Sequence, residues 1–385
     1  MSAVALPRLL HVGAGSLESL PAALAQLGLR RPAVITDRFM AGSDDFERLQ
    51  SLLSAKGGRS RVFSGSVPVP TTGSVDAAVA FVKEFEHDSV IGFGGGSAID
   101  TAKAAAVLSV LGGTIRQLKA PHSQDSGGLP IVAIPSTAGT GSEATKFTIV
   151  TDETNDEKML CTGLAYLPSI AIVDYELTLT KPRGLTAATG IDALTHAIEA
   201  YVSRRATPFT DGMAIAAMKA IWKNLPTACA EPSNRKAREA MMLGALQAGI
   251  AFSNASVALV HGMSRPIGAH FHVSHGLSNA MLLPAVTAWS AQAAVSRYAD
   301  CARAMDIAQR DDNDAGATER LIEALRKLNV ELDVPTPKRY GIDEDKWTRL
   351  LPLMVEQALA SGSPSNNPRI PDAASIQALY REVWG

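Results

Sequence analysis

Only three cysteines occur in 385 residues, at Cys161, Cys229 and Cys301, and none stands in a C-x-x-C pair. An odd number of widely spaced thiols excludes a disulfide framework and reads as reduced cysteine in a cytoplasmic protein. Aromatic residues are scarce, at 5% of the chain, which leaves little for a base-stacking surface. Neither sign of charge dominates: 36 Lys and Arg against 38 Asp and Glu give a net charge of −2. Without a basic field to grip a phosphate backbone, nucleic acid is not an expected partner. No run of about 18 consecutive apolar residues occurs. The best candidate, AAAVLSVLGG from Ala104, is too short, so no membrane span is expected. The opening MSAVALPRLL has no basic segment ahead of its apolar residues and is interrupted by Pro7 and Arg8. No secretory leader is expected from it. What is plentiful is apolar side chain, 46% of the chain, enough for a large core and, at this length, for two domains.

Short apolar runs at 32–36, 60–64, 89–93, 131–135 and 169–173 alternate with segments of helical spacing such as VDAAVAFVKEFE and SAIDTAKAAAVLSVL. Runs that are nearly continuous suit strands buried on both faces, and strand–helix alternation predicts a mainly parallel sheet flanked by helices. Beyond Gly184 strand-like runs almost vanish. Long helical segments follow one another there, among them RKAREAMMLGALQAGIAFSNASVALVHGMS, read as one piece. The fold class expected is therefore α/β plus all-α. The boundary lies in TLTKPRG, giving an α/β domain over residues 1–181 and an all-helical domain over 182–385.

Two glycine-rich loops could cradle phosphates. Gly13-Ala-Gly15-Ser16 starts like G-x-G-x-x-G but has Glu18 where the third glycine belongs, so it reads as a turn. The second is stronger: the run SVIGF passes through Gly94, Gly95, Gly96 and Ser97 directly into a helical segment holding Asp100 and Lys103. Glycines let the backbone approach a pyrophosphate, and free N–H groups at a helix start attract anions. Asp37, at the end of an early strand, could accept hydrogen bonds from an adenosine ribose and repel a 2′-phosphate. The order is unusual, because the standard fingerprint places the acid about 20 residues after the glycines. A polar loop from Pro135 to Glu143 offers the hydroxyls of Thr137, Thr140 and Ser142 for the same ligand.

Five of the eight histidines lie between 196 and 275. Asp192 and His196, at i and i+4 of a helical segment, share one face. A later stretch carries His261, His270, His272 and His275. One carboxylate with three imidazoles makes an O/N site for Fe²⁺, Zn²⁺ or a similar divalent ion. Spacing alone does not decide which two of the four later histidines complete it.

GGGSAIDTAK, PSTAGTGSEAT, IVDYELTLTKPRGLTAATGIDALTHAIEAY and VHGMSRPIGAHFHVSHG resemble, in that order, the iron-containing (group III) alcohol dehydrogenases. The resemblance runs over nearly the whole chain, down to the closing Asn366-Asn367-Pro368-Arg369. It implies a dehydroquinate synthase-like fold, with an N-terminal dinucleotide-binding domain and a C-terminal helical domain for metal and substrate. Carried over residue by residue, it puts the metal ligands on Asp192, His196, His261 and His275 and the pyrophosphate turn on Gly94, Gly95, Gly96 and Ser97. Asp37 falls at the adenosine ribose, Thr137 and Thr140 beside the cofactor and Lys158 near its ribose-phosphate; Asp100 and Ser142 are counted with them. The related glycerol dehydrogenase and dehydroquinate synthase branches lack this Asp plus three His set. One position departs: many members have a histidine four residues after the first histidine of the last motif, and here it is Arg265. That position is expected near nicotinamide and substrate. A guanidinium cannot shuttle a proton near neutral pH but can grip a carboxylate or phosphate with two parallel bonds, which leaves His270 as a candidate proton relay.

The activity expected is metal-assisted hydride transfer between a small alcohol, or its aldehyde or ketone, and NAD. Arg38 beside Asp37 leaves NADP open. Fe²⁺ is the expected ion and Zn²⁺ the second choice. Two other readings are a maleylacetate-reductase-like or hydroxyacid enzyme using Arg265 for a carboxylate, and a non-redox lyase of dehydroquinate synthase type. A homodimer or higher homo-oligomer in the cytoplasm, with no nucleic-acid or membrane partner, completes the expectation.

Overall fold

The computed structural model describes residues 3–55 and 59–385, so Met1 and Ser2 of the opening segment lie outside it. Contacts divide the chain into two compact units, Ala3–Thr180 and a second beginning at Lys181, next to the Pro182 boundary.

The first unit contains β1 (Leu9–Val12), β2 (Pro32–Asp37), β3 (Arg61–Ser66), β4 (Ser89–Gly94), β5 (Ile131–Pro135), β6 (Phe147–Asp152), β7 (Glu157–Thr162) and β8 (Ile170–Val173). Its helices are α1 (Leu20–Gln26), α2 (Arg38–Ala41), α3 (Asp44–Ser54), α4 (Thr72–Glu84) and α5 (Gly96–Leu111). Six strands form one parallel sheet in the order β1-β8-β5-β4-β2-β3, while β6 and β7 make a separate antiparallel hairpin. Adjacent residues of one strand serve opposite faces. Val34 and Ile91 pack with Leu20, Leu49 and Leu53, while Ile35 and Val90 pack with Ala78, Val82 and Ala105. Both faces are covered, which is why these strands read as unbroken apolar runs. The sequence reading missed β1, whose residues alternate between half-buried and exposed, and the β6–β7 hairpin, which is rich in Thr and charge.

The strand order also resolves the odd sequence of glycines and acid. From β2 the chain moves outward to β3, and from β4 it moves the other way to β5, so β2 and β4 flank the point where the winding reverses. Ligands of parallel α/β sheets bind beyond the carboxyl ends of strands at such a switch point. Asp37 ends β2 and Gly94 ends β4, so residues far apart in the chain close the same crevice.

The second unit is helical: α6 (Arg183–Val202), α7 (Pro208–Ala230), α8 (Arg235–Asn254), α9 (Leu259–Phe271), α10 (His275–Ala291), α11 (Val295–Ala304), α12 (Asp314–Glu331), α13 (Pro337–Tyr340), α14 (Glu344–Ala360) and α15 (Ala373–Val383). The segment read as one helix from Arg235 to Ser264 is two, α8 and α9, bent by 104°. The cause lies on α6. The Glu199 carboxylate accepts the N–H groups of Ala258 at 2.8 Å and Val260 at 2.6 Å, taking amides that a continuous helix would have spent internally. Among the described residues no single helix is long and apolar enough to cross a membrane. The three cysteines are unpaired and buried.

Candidate metal centre and nucleotide turn

Helix α6 starts directly after Pro182 and is buried along most of its length. Its spacing brings Asp192, His196 and Glu199 to one face. Asp192 Oδ1 is the focus: His261 Nε2 lies 3.5 Å from it, His275 Nε2 3.7 Å and His196 Nε2 4.0 Å. One donor atom from each of these four residues lies within 4.8 Å of every other. The His196 ring stacks between Phe252, with centroids 4.2 Å apart, and His261, at 4.4 Å, which fixes its plane. Asp192, His196 and His261 are buried, whereas the His275 side chain is 30% exposed and forms the open side. Gly276 allows His275 this place. A Cβ there would stand 2.3 Å from the Ala188 carbonyl oxygen and 3.3 Å from Asp192 Cβ, so α10 can approach α6 only without a side chain. Of the four later histidines, then, the structure brings His261 and His275 to Asp192 and His196.

Two further residues complete the cluster, and the sequence reading assigned neither. Glu199 Oε2 lies 2.7 Å from His261 Nδ1; its oxygens also accept backbone N–H groups, so the ring donates here from Nδ1 and points Nε2 toward Asp192. Asn279 donates from Nδ2 to Asp192 Oδ1 at 2.6 Å and also lies 3.1 Å from His261 Nε2 and 3.3 Å from His275 Nε2. Helical spacing carried the signal for both, since Glu199 is three residues after His196 and Asn279 four after His275.

The donor chemistry suits a divalent cation. Two amide protons of Asn279 cannot serve three acceptors, and one carboxylate oxygen with three imidazole nitrogens matches Fe²⁺ or Zn²⁺. Burial works against charge on Asp192, yet the His196, His275 and His261 rings outweigh it and hold the carboxyl well below the usual range. Burial likewise opposes charge on His261, and the neighbouring Asp192 and Glu199 carboxylates raise it above the ordinary imidazole value.

Arg265 follows His261 by one turn of α9 and is buried; burial pushes its guanidinium down to about 10, against the field of Glu199, so it stays cationic at neutral pH. His270 is not brought into the cluster. Nine residues after His261, at about 100° per residue, it falls on the opposite face of α9, and its Nε2 lies 2.8 Å from Gln357 Oε1. A relay role for His270 at the cluster has no support in this geometry. His272 is the exit residue of α9, at φ 56°.

In the first unit, Gly94 has φ +141°, a conformation that L side chains avoid, and Gly96 begins α5. A Cβ on Gly94 would lie 3.6 Å from Asp37 Oδ2, and one on Gly96 2.7 Å from the Thr140 side chain. Thr137 is the nearest neighbour of Gly95. Asp37, Thr137 and Thr140 thus border the turn. Asp37 Oδ1 also accepts the Met40 N–H at 2.9 Å and so caps α2. Ser97 Oγ donates to the Pro68 carbonyl. Asp100 and Ser142 serve each other: Ser142 Oγ donates to Asp100 Oδ1 at 2.6 Å, and Asp100 Oδ2 accepts Ile149 N–H at 3.0 Å, tying α5 to β6. Lys158 lies on β7, paired across the hairpin with Thr151. The Gly13–Gly15 loop wraps an internal anion, since Gly15 and Leu17 N–H both donate to the Asp174 carboxylate. Lys103, fully buried, donates to the carbonyls of Thr145 and Phe147, and burial lowers it to about 8 against the fields of Asp100 and Glu143.

Comparisons with known proteins agree along the whole chain. The model of the iron-containing alcohol dehydrogenases matches residues 7–175, and that of the Fe-containing alcohol dehydrogenase family, C-terminal part, matches residues 186–384. The chain is 39% identical to Long-chain-alcohol dehydrogenase 1 of Geobacillus thermodenitrificans, over 99% of this chain and 96% of that one. It is 34% identical to the NAD-dependent methanol dehydrogenase of Bacillus methanolicus, over 97% of each. The crystal structure of a 1,3-propanediol oxidoreductase, 32% identical, matches with a TM-score of 0.94 over the full length of both chains. Matched in both halves, and from end to end by such relatives, this chain belongs to the iron-containing alcohol dehydrogenase family.

Proposed function

We propose that this chain is a metal-dependent oxidoreductase that moves a hydride between a small alcohol, or its aldehyde or ketone, and NAD(P), with Asp192, His196, His261 and His275 holding the ion. The observation that carries the reading is the convergence of one buried carboxylate oxygen and three imidazole Nε2 atoms on one point, in a member of this family. Fe²⁺ is the ion proposed, and Zn²⁺ fits the same donors. Bound there, the ion supplies Lewis acidity at the oxygen of the alcohol or carbonyl. The nicotinamide supplies the hydride acceptor or donor.

The protein's own groups bind and orient. Glu199 holds the His261 ring in the tautomer that presents Nε2, and the exposed edge of His275 leaves room for substrate. Gly94 to Ser97 offer free N–H groups at the start of α5 to a pyrophosphate, bordered by Thr137 and Thr140. Asp37 would accept from ribose hydroxyls and repel a 2′-phosphate, which favours NAD. Lys158 is assigned to the ribose-phosphate by resemblance, and Asp100 with Ser142 holds the turn in place. The unit holding these residues is assigned to the dinucleotide and the helical unit to metal and substrate. A homodimer is the assembly proposed, because β1 is an edge strand with Leu10 and Val12 exposed beside Val4 and Leu6, and the cytoplasm is proposed from the unpaired cysteines. The test is reduction of NAD⁺ and NADP⁺ by Fe²⁺-loaded protein over a panel of short alcohols and diols. NADH formation with at least one alcohol, at higher kcat/KM than NADPH formation, is expected. No reduction of either cofactor by any alcohol would overturn the reading.

A further inference from the structure

Arg265 lies four residues after His261 on α9, so the two side chains leave the same face of the helix one turn apart. It is 6% exposed, and its Nε and Nη1 are buried with no acceptor. No hydrogen bond or ion pair joins the guanidinium to any described residue. Glu199 acts on it through space alone, because that carboxylate is spent on Ala258 N–H, Val260 N–H and His261 Nδ1. Buried polar groups in native proteins are satisfied, and a buried, uncompensated charge is strongly unfavourable unless a ligand or ion pairs with it. Nε and Nη1, with three of the guanidinium's five N–H donors, are therefore held out of water one helical turn from His261, with no acceptor of the protein's own. The planar guanidinium fork matches two oxygens of one oxyanion, as in a carboxylate, sulfonate or phosphonate.

We propose that Arg265 is a specificity-determining residue that receives a terminal oxyanion of the substrate, so that this enzyme favours short ω-hydroxy or ω-oxo acids over uncharged alcohols and aldehydes. The inference rests on the alcohol dehydrogenase reading for its reaction and on the unpartnered guanidinium for its substrate class. Reaction at the carbinol carbon is unchanged; the oxyanion fixes which end of the molecule reaches the metal and adds a charge-assisted contact that a neutral chain lacks.

The test uses Fe²⁺-loaded full-length enzyme and pairs of matched substrates: 3-hydroxypropionate and 4-hydroxybutyrate against their uncharged amides, with 2-hydroxyethanesulfonate to separate sulfonate from carboxylate. Wild type should show a higher kcat/KM for the acid of each pair. In Arg265→Met the acid-to-amide ratio should fall about 30-fold or more, as for loss of one partner of a buried charge pair, and Arg265→Lys should lie between. Butyrate, which cannot react, should raise the melting temperature of wild type but not of Arg265→Met, and butyramide should raise neither. This thermal measurement needs no turnover, so it decides the inference even if the dehydrogenase reading fails. Equal use of acid and amide by wild type, a ratio unchanged in Arg265→Met, or an effect confined to KM for the dinucleotide would overturn it. An Arg265→Lys variant that melts with wild type keeps the comparison valid should Arg265→Met fold poorly.

Discussion

Glu199 illustrates how one buried side chain sets both backbone and chemistry. Its carboxylate starts α9 by accepting two amides and, 2.7 Å from Nδ1, orients the histidine two residues into that helix. Glu199→Gln keeps the shape but weakens the acceptor, so affinity for Fe²⁺ or Zn²⁺ should fall about 10- to 100-fold, read by equilibrium metal titration. Unchanged affinity would remove Glu199 from the account. Glu143 in the first unit gives a separate test in pH. Burial pushes its carboxyl from an ordinary 4.5 up to about 7, against its own backbone amide and the field of Lys103. The folded state therefore keeps a proton that the unfolded chain releases. Its stabilisation is complete below 4.5 and lost as pH rises through 7. Glu143→Gln should raise the melting temperature relative to wild type at pH 8 and change it little at pH 5, a difference worth up to about 3 kcal/mol. Equal shifts at both pH values would contradict this. At this scale the sequence was only partly legible. Asp192 and His196 could be paired because a helix fixes i and i+4. Spacing alone could not separate His261 and His275 from His270 and His272, and only the resemblance selected them, because that choice depends on where α9 begins, which Glu199 sets from about 60 residues away.

The elements explain why the donors meet. Helices α6 and α10 approach so closely at Gly276 that a methyl group there would overlap the Ala188 carbonyl. Gly276→Ala must push α10 outward and carry His275 away from Asp192. We expect overpacking of about 1–3 kcal/mol, seen as a lower melting temperature, together with loss of tight metal binding. A variant that binds metal like wild type would show that His275 does not depend on this approach. Strands buried on both sides announced themselves as apolar runs, and β2, β4, β5 and β8 follow them closely. The short, half-exposed β1 gave no such pattern. The break between α8 and α9 was hidden because its cause, Glu199, lies about 60 residues earlier. The glycine turn proposed for the nucleotide looked out of order in the chain because the fingerprint is linear, whereas the crevice depends only on β2 and β4 being neighbours.

At the scale of the whole molecule, chemistry is partitioned. The glycine turn, Asp37, Thr137 and Thr140 lie in the α/β unit, and the Asp and His donors with Glu199, Asn279 and Arg265 lie in the helical unit. Near-neutral charge and few aromatics, which argued against nucleic acid, suit an enzyme of small substrates. The account turns on the four donors holding an ion that the reaction needs. The most direct measurement determines metal content and alcohol-dependent NADH formation on the same anaerobic preparations of wild type, Asp192→Ala and His261→Ala, before and after chelation and Fe²⁺ restoration. The account predicts about one ion per wild-type chain, activity lost on chelation and regained with Fe²⁺, and neither property in the variants. Full NADH formation by metal-free wild type, or by a variant that binds no ion, would contradict it.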